Sequence, residues 1–93
     1  MIIVKTTWQP VSGAAVAVTM TPVSKTKYEV RTRDEADASY QPLLGYVFRD
    51  SMPLRGWRYS TAAEHSVIRG SQLNDRDMAL SALMHELRSQ GKV

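Results

Sequence analysis

From Lys27 to Arg33 the chain alternates without a break, with Tyr28, Val30 and Thr32 on one side and Lys27, Glu29, Arg31 and Arg33 on the other. Period two of this kind marks a strand with one buried and one wet face. Ala15 to Thr21 repeats the pattern through Val16, Val18 and Met20, and the turn formers of Pro22 to Thr26 join the two runs as an antiparallel hairpin. Ile2 to Trp8 reads as a third strand, turning at Gln9 to Gly13. Leu43 to Phe48 is apolar on both sides, with Leu44, Tyr46 and Phe48 opposing Leu43 and Val47, which predicts a central or doubly covered strand. Gly56 to Ser60 and Ser66 to Arg69 complete the strands, separated by a connection over Thr61 to His65.

The period changes near the C-terminus. Leu80, Leu83, Met84 and Leu87 recur at i, i+3, i+4 and i+7, with Ala79 and Ala82 beside them, so Asp75 to Gln90 is predicted to be a helix with one buried stripe. Asn74 suits the N-cap, Asp75 and Asp77 place carboxylates at the positive end of the dipole, and Leu73 and Met78 stand where a hydrophobic staple would. Arg88 falls in the last turn and Gly91 can adopt the left-handed cap. A second, short helix is conceivable over Glu35 to Tyr40, because Thr32-Arg33-Asp34-Glu35 has the spacing of a capping box and Pro42 ends the segment. The fold class that follows is α+β: a twisted antiparallel sheet of about four to six strands, packed on one face by the C-terminal helix.

At 93 residues the chain fits one domain, spanning 1–93, and leaves little interior in which to carve a deep active site. The absence of cysteine excludes disulfides, thiolate nucleophiles and sulfur-bound zinc, and suits a reducing, cytoplasmic setting. No signal-peptide pattern opens the sequence, and no apolar run approaches the roughly 20 residues that span a bilayer. Its net charge of +3 is uneven, with +4 over residues 1–33, −3 over 34–50 and +2 over 51–93. A modest basic excess permits contact with nucleic acid without requiring it.

Candidate chemistry is sparse. The two histidines, His65 and His85, are too far apart for a paired-histidine metal site on one helix, and neither a phosphate-binding glycine loop nor a G-x-S-x-G elbow is present. His65 beside Glu64 and Ser66 reads as a surface loop, His85 as a helix-surface residue, and Asp34, Glu35 and Asp37 as a solvated helix start. No catalytic residue, metal site or cofactor is expected. Arg55-Gly56-Trp57-Arg58-Tyr59, near Tyr46, Phe48, Arg49 and Arg69, interleaves bases with aromatics as single-strand binders do. Parity separates them within the strand, however, since Trp57 and Tyr59 share one face and Arg58 takes the other, so the aromatics are expected in the core.

The unit Ser66 to Gly91, a strand leading through Gly70 into a capped helix, resembles the strand–helix ending of HicB-type antitoxins and of small phage-encoded proteins that inhibit host machinery. It spans about a quarter of the chain. Its matching features, Gly70, Asn74, Asp77, Ala79, Leu80 and Leu83, serve any strand–loop–helix; the resemblance implies a small accessory binder and assigns no functional residue. The expected function is therefore a non-catalytic protein-interaction module, an inhibitor or regulator of a larger protein partner. Lys27, Arg31, Arg33, Arg55 and Arg58 are its expected contact residues. A nucleic-acid binder using the same basic face is the alternative, and a metal-free nuclease the third reading. The doubly apolar strand also leaves a face that a second copy could cover, as a homodimer.

Overall fold

The computed structural model describes residues 2–33, 41–49, 56–64, 68–73 and 75–91. Among these residues six strands, β1 (Val4–Trp8), β2 (Val16–Pro22), β3 (Lys27–Thr32), β4 (Leu43–Arg49), β5 (Trp57–Thr61) and β6 (Arg69–Leu73), precede one helix, α1 (Arg76–Ser89). Each strand pairs antiparallel with the next, so the sheet order follows the chain order from β1 to β6. The fold is α+β, as the periodicities predict. Among the described residues no helix is long and apolar enough to cross a membrane.

Register decides which side chains meet the helix. The row Val4–Met20–Val30–Gly45–Thr61 crosses five strands on one face, with Tyr28–Val47–Tyr59 parallel to it. Against these rows α1 lays Ala79, Leu80, Leu83, Met84 and Leu87, and the resulting core takes in Trp8, Val18 and Leu44 as well. The predicted stripe is the buried stripe. α1 rides over β4, β5 and β6 rather than over the middle of the sheet, so its N-terminal end leaves part of β1 and β2 uncovered.

Two close approaches hold the helix in place. Gly45 has no Cβ, and one added there would lie 3.1 Å from Leu83 Cδ1 and 2.3 Å from the Ser60 carbonyl oxygen, so the strand admits both neighbours only as glycine. At the other end Arg88 Nη2 donates to the Ser12 carbonyl at 2.7 Å, tying the last turn of α1 to the β1–β2 connection. Gly91 takes the left-handed conformation expected of it, with φ of 75°, and its N–H donates to the Arg88 carbonyl.

Several expectations need correction. The N-cap is Asp75, not Asn74: its backbone is extended, and Oδ1 accepts from the Met78 N–H at 2.8 Å. A carboxylate can fill this role as well as an amide, and it adds charge at the positive end of the dipole. With the cap shifted by one residue, Met78 is no longer the staple position and stands exposed. The last strand occupies Arg69–Leu73 rather than ending at Arg69, so Gly70 lies within it. Trp57 pairs Leu73 while Tyr59 pairs Arg69, so β6 carries extra residues against β5, and strict periodicity could not show it as a strand. Finally, Leu43 pairs Arg31 while Gly45 pairs Val30, and the bulge this creates buries Leu44 and Gly45 in succession. Leu44 thereby joins the core instead of the Tyr46 and Phe48 side. The suggested helix over Glu35 to Tyr40, together with Asn74, His65 and Arg55, lies outside the described residues.

Candidate functional site

The face of the sheet turned away from α1 holds most of the expected contact residues. Three rows cross it: Lys5–Thr19–Arg31–Leu43, Thr21–Glu29–Tyr46–Ser60, and Lys27–Phe48–Arg58. Lys27, Arg31 and Arg58 are thus brought to one surface. Arg33 follows β3 and is turned to structural work, its backbone N–H donating to Ala17 O at 2.9 Å and its Nη1 to Val18 O at 3.3 Å. Among the described residues no strand or helix packs on this face.

The surprise is the company the cations keep. Trp57 and Tyr59 pack against the core, and Arg58 takes the other face, as parity requires. Tyr46 and Phe48, by contrast, do not fall with the core set: both are half-buried and stand among Lys27, Glu29 and Arg58. Register creates this juxtaposition, because it sets the one phase of β4 that puts Val47 into the core and its two aromatic neighbours outside. Phe48 lies between two cations, and Lys27 Nζ sits 4.4 Å from the centre of the Tyr46 ring. A shallow cavity of about 320 Å³ opens beside Phe48, lined also by Lys27, Arg49, Ser60 and Ile68.

The charges here are mixed. Arg31 Nε is bonded to the Glu29 carboxylate, and its Nη1 donates to the Gln41 carbonyl at 2.9 Å. This guanidinium is held by the protein rather than offered to phosphate. Glu29, adjacent to Tyr46 across the β3–β4 ladder, places a negative group in the centre of the face.

A second polar group lies on the helix side. Arg69 bridges Glu86 of α1 at 3.2 Å and Glu64 at 3.4 Å, fastening β6 to the helix. The neighbouring Tyr59 phenol is pushed above its ordinary range, first by burial and then by the Glu86 carboxylate, with Arg69 acting in the opposite direction. His85 stands exposed on α1 with its ring edge-on to Trp8 at 5.2 Å, where it extends the packing of the helix C-terminal half. Among the described residues no cluster of three or more acidic or histidine side chains could hold a metal ion.

Comparison with known proteins returns no matching family, no similar curated protein and no similar solved structure.

Proposed function

We propose that this chain is a non-catalytic binding module that docks a larger protein through the sheet face opposite the helix. The observation that carries this reading is the grouping of Tyr46, Phe48, Lys27, Arg58 and the Glu29–Arg31 pair on one surface. Aromatic residues and arginines are the side chains that most often dominate protein interfaces, and partly buried rings on a β-sheet lose little entropy when covered. The internal ion pair matters equally. A surface that already neutralises its central guanidinium can be covered by a protein without leaving that charge unpaired. Inhibition or regulation of the partner would follow if the occupied surface is one the partner uses elsewhere. The test is affinity capture from nuclease-treated extract of the native source, comparing the wild-type chain with Tyr46→Ser/Phe48→Ser. Loss of a discrete captured protein in the folded double variant supports this reading, and equal capture by both chains contradicts it.

One observation favours a second reading. The row Lys27–Phe48–Arg58 sets an aromatic ring between two cations, the arrangement that stacks a base and contacts flanking phosphates. With Glu29 among them and Arg31 engaged, affinity for mixed-sequence single strands is expected to be weaker than about 10 µM near physiological salt. A submicromolar complex with a salt slope of roughly −3 or steeper, lost in Arg58→Glu, would put nucleic acid in place of the protein partner.

A further inference from the structure

A second surface, on the helix side, has a different chemistry. Where α1 leaves β1 and β2 uncovered, Ile2, Val4, Pro22 and Tyr28 line an open groove of about 680 Å³, together with Lys25 and Arg76. This is within the range of about 300–1,000 Å³ over which proteins hold side chains and small ligands. Its walls are mostly apolar, with Ser24 among them, and among the described residues the charged groups that line it are these two cations. Arg76 lies over the Tyr28 ring at 5.1 Å and is ion-paired with the neighbouring Asp77 carboxylate at 4.0 Å.

The groove adjoins an unpaired edge. β1 is the first strand of the sheet, and among the described residues nothing pairs with its outer side. Ile2 and Ile3, which lead into it, are largely exposed. An edge strand offers backbone N–H and C=O groups to any extended chain laid beside it, and every second side chain of that chain then falls on the helix side, next to Val4.

We propose that β1 and this groove take an extended segment of a protein partner in which an apolar side chain is followed two positions later by a carboxylate. The apolar side chain enters the hollow beside Ile2 and Val4. The carboxylate, roughly 7 Å further along the same side of the added strand, accepts from Arg76 or Lys25. A fatty acid would satisfy the apolar wall and the cations but not the strand edge. The site lies across the sheet from the Tyr46 and Phe48 surface, so it stands or falls separately from it.

The experiment uses the full chain and two short synthetic peptides, one alternating leucine with threonine and carrying aspartate in place of one leucine, the other with asparagine in place of the aspartate. Fluorescence anisotropy gives the affinities, and amide chemical shifts give the location. The aspartate peptide is expected to bind about tenfold or more tightly than its asparagine twin, the scale of one charge-assisted hydrogen bond. Its shifts should concentrate in β1 and around Tyr28, and the preference should vanish in Lys25→Gln/Arg76→Gln. Should that double variant fail to fold, the peptide contrast and the shift map in the wild-type chain still decide. Equal affinities, absence of binding, shifts centred on Tyr46 and Phe48, or a dimer in sedimentation that already protects β1 without peptide would each overturn the proposal.

Discussion

The ammonium of Lys27 rests 4.4 Å from the centre of the Tyr46 ring, a contact between adjacent strands on the face that no described element covers. Such a contact at a solvent-facing site contributes about 0.5–1 kcal/mol, so it orients the ring more than it stabilises the fold. Lys27→Gln and Phe48→Ser should therefore shift the denaturation midpoint only slightly while weakening capture of the partner. A loss of several kcal/mol from either change would show that these residues support the core instead.

The helix should respond differently at its stripe and at its cap. Leu83 is fully buried between α1 and β4, and Leu83→Ala is expected to remove about 2–5 kcal/mol, enough to unfold so small a domain. Asp75→Ala should remove about 1 kcal/mol, and Asn74→Ala less, since Asp75 supplies the capping oxygen. Urea denaturation of the three variants checks the ranking.

Gly45 should be nearly irreplaceable. A Cβ at that position meets the Ser60 carbonyl oxygen, which belongs to the paired strand and cannot swing aside as a side chain would. Gly45→Ala is expected to destabilise by about 1–3 kcal/mol through displacement of β5 or of Leu83. An unchanged melting temperature would mean that β4 and β5 are further apart than described.

Stability should also fall at high pH through Tyr59. Its folded pKa lies above the ordinary value of 10.0, because burial and the Glu86 carboxylate both oppose the phenolate. The native state thus holds this proton more tightly than the unfolded chain, so its contribution is complete below pH 10 and is lost as the pH rises through the folded pKa. Denaturation midpoints measured on either side of pH 10 should decline less steeply for Tyr59→Phe than for the wild type. Identical slopes would remove the phenol from the account.

Most of the architecture was legible in the sequence because alternation and the i, i+3, i+4 pattern report local burial directly. The Lys27–Arg33 alternation located β3, and the leucines from Leu80 to Leu87 located the core face of α1. What stayed hidden depends on pairing. Nothing local reveals that Leu44 is a bulged residue, that β6 takes extra residues between Arg69 and Leu73, or that Asp75 rather than its neighbour caps the helix. On the candidate surface the cations are legible in the sequence, whereas the aromatics among them depend on pairing in the same way. Parity alone turns Trp57 and Tyr59 to the core side, but only the register of β3, β4 and β5 puts Tyr46 and Phe48 beside Lys27 and Arg58. Val47 carries the usable signal: with this β-branched residue in the core, strand parity turns both Tyr46 and Phe48 to the opposite face.

Site-specific photo-crosslinking tests the central claim most directly, with a photoreactive phenylalanine analogue placed at position 48 and, as a control, at the exposed His85 position on the helix side. In cells of the native source, position 48 should give one discrete protein adduct that disappears when Lys27→Glu and Arg58→Glu are added, while position 85 gives none. Adducts to nucleic acid alone, the same adducts from both positions, or no adduct at position 48 would contradict a protein-docking role for this face.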